Sequence, residues 1–230
     1  MKPLLAATVL VLSVAASTAH AQAAPPPDVP ALQAKADAGD AEAQFELAGA
    51  YDTGRGVRHD AAQAMHWYRA AADQGQPDAQ NSVGSLLQQD KRYAEALTWY
   101  EKAAGQNHAQ ATNNAANLYD LGRGVPQDRK KAFALYQHTA DLGSAEAMWN
   151  MAQMIGGGQL GAPPDLRSAC VWTLRAYRLA DLSERRLTDY AGRLIPMLES
   201  KLSAEDMSAC RSEARDWTPP EASRRSDRPH

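Results

Sequence analysis

The chain has two phenylalanines and two cysteines, and valine and isoleucine are sparse beside abundant alanine. That balance disfavours a β-sheet core and favours helices packed closely through small side chains. Cations are in no excess: 27 Asp and Glu stand against 24 Lys and Arg, Lys2 among them. A general nucleic-acid binder, which needs clustered cations over phosphates, is therefore excluded. After the first twenty-one residues no apolar run approaches membrane-spanning length. Neither H-x-x-H nor H-E-x-x-H occurs, so His59, His66, His108, His138 and His230 propose no zinc site and read as ordinary surface residues. No serine is followed three places on by lysine, so the S-x-x-K pattern of serine acyl transfer is missing too.

The N-terminus reads MKPLLAATVLVLSVAASTAHAQ. Lys2 is a short basic region, Leu4 to Ala16 an apolar core, and Ala19-His20-Ala21 a small-residue cleavage site. The expectation is a signal peptide over 1–21, cleaved after Ala21, and a periplasmic or secreted protein. No cysteine lies near the site, which argues against a lipid anchor. Residues 22–37 read as a Pro-rich lead-in, extended and poorly ordered over 22–30.

What the chain does have is a repeat. YDTGRGVRHD at 51–60 returns as YDLGRGVPQD at 119–128. Between them, Tyr68, Ala71 and Ala72 recur as Tyr100, Ala103 and Ala104, then as Tyr136, Thr139 and Ala140. The spacing of sixty-eight is thus thirty-two plus thirty-six. Four units follow, at about 39–74, 75–106, 107–142 and 143–180, the second short because QQDKR replaces the GRGV loop. Periods of this size mean a solenoid. Each unit predicts two helices. In the first, Leu47, Ala48 and Tyr51 form one stripe and Ala64, Tyr68, Ala71 and Ala72 the other, with Asp60 and Gln63 as a capping box and Gly75 as a left-handed cap. Gly54 and Gly122 are expected at positive φ where the first helix ends, Gly56 and Gly124 to allow a tight reversal, and Val57 and Val125 to plug the gap between helices.

This pattern resembles the Sel1-like repeat family, a relative of the tetratricopeptide repeat. The family letters are carried in unit 1 by Ala43, Leu47, Ala48, Tyr51, Gly54, Gly56, Val57, Asp60, Ala64, Trp67, Tyr68, Ala71 and Ala72. Unit 3 carries them from Ala111 to Ala140, and unit 4 resumes them at Ala169, Trp172 and Ala176. The resemblance implies an all-α, α/α solenoid over 38–180. Residues 181–217 read as helical capping segments: Leu187, Tyr190, Ala191, Leu194 and Leu198 share one side, Pro196 kinks or ends that helix, and Ser203 with Asp206 caps the next. Residues 218–230 read as a disordered tail.

GGGQLG at 156–161 fits the dinucleotide fingerprint, but a helix rather than a strand is predicted before it, so it reads as the unit-4 loop and no cofactor is expected. Cys170 and Cys210, both in the exported part, point to a disulfide fastening the cap to unit 4; two separate buried thiols are the alternative. The intra-repeat cysteine pairs of some exported relatives are absent. Glu42 and Glu46 read as a solvated helix face, and no nucleophile is paired with a base.

The resemblance also implies where partners bind. In related arrays the first helix of each repeat lines a concave groove. Carried across, its facing positions are Phe45 and Gly49, Asn81 and Ser85, Asn113 and Asn117, and Trp149 and Gln153. Asn114 and Asn150, next to Asn113 and Trp149, either reach the same groove or bond the neighbouring helix. A row of amides suits the backbone of an extended peptide, with Phe45 and Trp149 as aromatic anchors. The implied function is a non-enzymatic scaffold or regulator in the envelope that binds a protein or peptide. The alternatives are a peptidoglycan or carbohydrate binder, using Trp149 and Trp172, and a cell-wall hydrolase. Trp67, Trp99 and Trp172 share one repeat position, which favours packing over sugar stacking.

Overall fold

The computed structural model describes residues 27–180 and 185–218. The leader 1–21, the lead-in as far as residue 26, residues 181–184 and the tail from 219 lie outside them.

The described residues form eleven helices and no strand. Four hairpins follow one another: α2 (Ala41–Thr53) with α3 (Ala61–Asp73), α4 (Pro77–Gln89) with α5 (Tyr93–Ala104), α6 (Ala109–Leu121) with α7 (Arg129–Asp141), and α8 (Ala145–Gly156) with α9 (Leu166–Leu179). Each second helix packs on its own first helix, and α3, α5 and α7 also on the first helix of the next hairpin. First helices therefore stack in one layer and second helices in another, as a solenoid requires. Before them lies α1 (Val29–Asp37), and after them α10 (Arg185–Lys201) and α11 (Ala204–Asp216), both packed on α9.

α1 corrects the sequence reading. The lead-in ends at residue 28, not 37. Asp28 caps the helix by accepting from the Ala31 backbone N–H, and Pro30 sits in its first turn, where a missing N–H costs nothing. Ala36 is then buried, and its carbonyl accepts from Gln44 Nε2 of α2 at 3.1 Å.

Small residues set the spacing of the layers. Leu47, Ala48, Val83, Ala115, Ala116 and Ala152 of the first helices are at most 2% exposed, as are Ala64, Ala96, Ala132 and Ala176 of the second. Between them stand Tyr68, Tyr100 and Tyr136, all buried. The fourth hairpin has buried Thr173 at the equivalent place, and on α8 the buried Met148, Met151 and Met154 join the core cluster that holds Tyr136 and Ala176.

The GRGV loops take the backbone expected of them. Gly54 and Gly122 end α2 and α6 in the left-handed region at φ 71° and 64°. Gly56 and Gly124 follow at 78° and 75°. The reversal closes when Asp60 and Asp128 donate their N–H to the Tyr51 and Tyr119 carbonyls. Gly124 has a second reason to be glycine: a Cβ there would lie under 3 Å from Ala94 N and Tyr93 C at the start of α5. The loop thus packs against the preceding repeat. Val125 is half-buried on the core, and Val57 is half-buried. GGGQLG follows α8 and forms the turn into α9, with Gly158 at φ 64° and Gly161 at φ 80°.

The Asp60–Gln63 box is half made. Asp60 accepts from the Ala62 and Gln63 N–H groups, but its own N–H is spent on Tyr51. Pro196 does not end α10. The helical carbonyl to which it offers no N–H is that of Gly192, and both residues are exposed, where the missing bond costs least. On that helix Ala191 and Leu198 are buried and Leu194 half-buried, while Tyr190, expected on the same stripe, is 54% exposed. The Leu187 side chain lies outside the described set. The Cys170–Cys210 disulfide joins α9 to α11 across forty residues, with Met207 and Leu198 packed around it.

Candidate functional site

The eight groove positions lie on the first helices, four on each of two rows. The row Gly49, Ser85, Asn117 faces the tyrosines of the second helices. Tyr100 Oη lies 3.3 Å from Ser85 Oγ and 3.2 Å from Gln88 Oε1. Gly49 leaves room for the Tyr68 hydroxyl, which would stand 3.6 Å from any Cβ added there. Burial, and next the Asp52 carboxylate, push the Tyr68 pKa up to about 12. Burial likewise pushes Tyr136 up, against a hydrogen bond with Asn117. These positions therefore hold the layers together from beneath. Gln153, the fourth of the row, is exposed above Thr173's hairpin.

The other row divides. Phe45 is half-buried with its ring 5.6 Å from Tyr68. Trp149 stacks on Tyr190 of α10 at 6.0 Å. Asn81 is half-buried and bonds Asn114 of the next first helix at 3.0 Å. Asn113 is not a groove residue. It is 3% exposed, accepts from the Thr139 hydroxyl and donates to Ser144 Oγ at 2.9 Å. Its neighbour Asn114 faces outward, because successive helical residues point about 100° apart. The amide row is thus Asn81, Asn114 and Asn150, all half-buried.

His108 also departs from the surface reading. Its Nδ1 caps α6 by accepting from the Ala111 N–H at 3.1 Å, and its Nε2 lies 3.0 Å from Asp78. Asp40, Gln76 and Ser144 fill the same capping position in the other hairpins. Only the first and last of these four are strong N-cap residues, so the sequence hid the pattern.

Sequence reasoning missed the charge. The four first helices carry Glu42, Glu46, Asp52, Asp78, Asp120 and Glu146 and no Lys, Arg or His. Where α1 meets this face, a cavity of about 350 Å³ is lined by Leu32, Glu46, Gly49, Thr53 and Arg55, among others. Among the described residues no group of three or more His, Cys, Asp or Glu is gathered to hold a metal ion. No described helix is long and apolar enough to cross a membrane.

The hairpin register is the one the Sel1 repeat describes. That repeat matches residues 41–76, 77–108, 109–144 and 145–181. The chain belongs to the Sel1 repeat family. This Sel1 repeat chain is similar to a protective antigen of uropathogenic Escherichia coli displaying an SLR fold, at 25% identity and a TM-score of 0.74, over 88% of this chain and 44% of that one. It spans less than half of the antigen's length. It is also similar to a Sel1 repeat protein from Oxalobacter formigenes, at 29% identity and a TM-score of 0.63, over 69% of this chain and 67% of that one. A Sel1 repeat protein from Klebsiella pneumoniae subsp. pneumoniae, 23% identical with a TM-score of 0.54, shares the fold over 74% of this chain and 80% of its own. No curated protein matches the sequence. Sel1 repeats in general mediate protein–protein contacts and form a non-enzymatic scaffold.

Proposed function

We propose that the chain is a non-enzymatic interaction module of the bacterial cell envelope that holds a protein or an extended peptide against its first-helix face. The observation that carries this is the amide row. Asn81 and Asn114 spend one acceptor and one donor on each other, and the Asn150 side chain makes no hydrogen bond among the described residues. An amide has four hydrogen-bonding sites, so a row of half-buried ones retains capacity for a peptide backbone. Export is supported by the leader reading of 1–21 and by a disulfide, a bond that persists in oxidising compartments.

Sugar stacking has less support. Tyr190 covers one face of Trp149, Lys102 lies 3.7 Å over the Trp99 ring, Arg175 lies over Trp172, and Trp67 is buried. The decisive experiment is co-purification from periplasm of the tagged protein and of a Phe45→Ala, Asn114→Ala, Trp149→Ala variant, with circular dichroism showing both folded. A protein held by the first and released by the second supports the face. Equal capture by both sinks it. The mass of the exported chain tests the leader, since cleavage after Ala21 leaves Gln22 at its start.

A further inference from the structure

The two layers of the solenoid carry opposite charge. The first helices hold six carboxylates and no cation, whereas the second helices α3, α5, α7 and α9 hold eight Lys and Arg against four Asp and Glu. The whole chain is close to balanced at a net charge of −3, so this is segregation, not composition.

The chain answers only part of the first-layer charge itself. Arg129 approaches Asp120 at 3.5 Å, and His108 approaches Asp78 at 3.0 Å. Glu42 and Glu146 receive only neutral amides, from Gln76 and Gln110. Asp52 sits by the Tyr68 hydroxyl. Among the described residues, no cation reaches ion-pair distance of Glu42, Glu46, Asp52 or Glu146. Beside these carboxylates runs the amide row, whose Asn81–Asn114 bond bridges neighbouring first helices. The face is therefore a helix layer with a partly spent amide row and, at four of its six carboxylates, unanswered charge of one sign.

We infer that the occupant of this face is a cationic extended peptide segment of another protein, its backbone on the amides and its Lys or Arg side chains on Glu42, Glu46 and Glu146. This rests on the reading of the first-helix face as the binding surface and names the chemistry of what it takes. Register follows from geometry. Neighbouring packed helices lie about 8–10 Å apart, and an extended chain covers that in about three residues. Glu42 and Glu46 lie on the first of the four first helices and Glu146 on the last, three such steps apart, so cations near the two ends of a segment of about twelve residues meet them.

The test is fluorescence anisotropy of the full chain with three labelled peptides of about twelve residues, bearing Lys, Glu or Ser at every third position in the same neutral background. The partner variant is Glu42→Gln/Glu46→Gln/Glu146→Gln, with all three sites exposed. The expected result is preference for the Lys peptide, weaker binding in added salt, and about a tenfold loss in the triple variant, the yield of a few solvent-exposed ion pairs. Equal affinity for Lys and Glu peptides, or a Lys-peptide affinity that the triple variant leaves intact, overturns the cationic assignment. In that case a Ser peptide held by wild type and released by Asn81→Ala/Asn114→Ala leaves the face itself standing. Binding of no peptide to the face overturns both readings. Tighter binding by an Arg224→Ala/Arg225→Ala/Arg228→Ala chain makes the protein's own tail the occupant and overturns a separate partner.

Discussion

Asn113 and Asn114 are neighbours of the same type, and the structure gives them opposite roles. Asn113→Ala removes the acceptor of the Thr139 hydroxyl and the donor to Ser144 Oγ, both inside the joint between α7 and the start of α8. Each neutral bond of this kind is worth about 1 kcal/mol net. Thr139 has a fallback, since its hydroxyl also reaches the Tyr136 carbonyl at 3.1 Å, and Ser144 still caps α8 through the Ala147 N–H. The expected loss is therefore about 2 kcal/mol rather than the larger cost of orphaned groups, or a fall in Tm of about 4–8 °C for a chain of this size. Asn114→Ala removes one half-exposed bond and is expected to cost about 0.5 kcal/mol. Urea unfolding followed by circular dichroism measures both. A cycle adds a sharper test. Thr139→Val on top of Asn113→Ala costs less than it does in wild type, because the partner it would strand is already gone, and the coupling is about 1 kcal/mol. Peptide binding moves the other way: Asn114→Ala weakens it and Asn113→Ala does not. Equal stability loss in the two variants, or additive effects of Asn113→Ala and Thr139→Val, refutes the assignment.

Three further outcomes follow from the same geometry. Gly84→Ala gains about 1 kcal/mol of helix propensity, but its Cβ would sit 2.6 Å from the ring of Tyr100, whose hydroxyl is tied to Ser85 and Gln88, so overpacking of about 1–3 kcal/mol prevails and Tm falls. Gly192→Ala on α10 meets nothing within 4 Å and raises stability by about 0.5–1 kcal/mol, so the two substitutions carry opposite signs in one thermal-melt series. Cys170→Ala/Cys210→Ala releases a crosslink over forty residues, worth about 4 kcal/mol on chain-entropy grounds, and a melt unaltered by this change or by reduction contradicts the staple. Alkali tests the tyrosines. Burial raises Tyr68 to about 12 and raises Tyr100 and Tyr136 as well. The unfolded chain ionises at about pH 10 while the fold keeps them neutral, so stability is full below about pH 10 and falls above it, by at most about 1.4 kcal/mol per pH unit for each. Tyr68→Phe flattens that fall; an unchanged slope contradicts it.

Much of the fold was legible because the solenoid spends its core on small residues and tyrosines. Ala48, Ala64, Ala71 and Tyr68 recur in register only if every repeat builds the same interface, and the GRGV glycines recur because two positive φ angles are needed in succession. α1 was hidden behind its prolines: a Pro-rich run reads as extended, although one proline at the start of a helix is favourable. The site was less legible for a geometric reason. Asn113 and Asn114 differ by one step of rotation, and a carried-over register does not resolve which of two identical neighbours turns into the joint. His108 escaped because imidazole is a rare cap, and the residue that identifies it, Ala111, contributes only a backbone N–H.

Counting what each groove residue has already spent changes the chemistry assigned to the face. By residue type alone the row Asn81, Ser85, Asn113 and Asn117 describes a neutral ladder for a neutral backbone. By partners, Ser85 and Asn117 serve tyrosine hydroxyls and Asn113 serves Thr139 and Ser144, so three of the four are committed to holding layers together. What stays unspent is a thinner set of amides and a set of carboxylates that no cation of the described chain meets. The second layer differs in sign and in how its cations are held: Lys131 is met by Glu101 and Tyr119, Arg167 by Glu213, and Lys102 and Arg175 lie over tryptophan rings. There eight cations are interspersed with four carboxylates, whereas the first layer carries one sign alone. A protein built only to be rigid gains nothing from the imbalance, since six like charges on stacked helices repel one another. The repulsion is relieved when a partner of opposite sign arrives, which is the physical reason to look for lysine and arginine in what binds there.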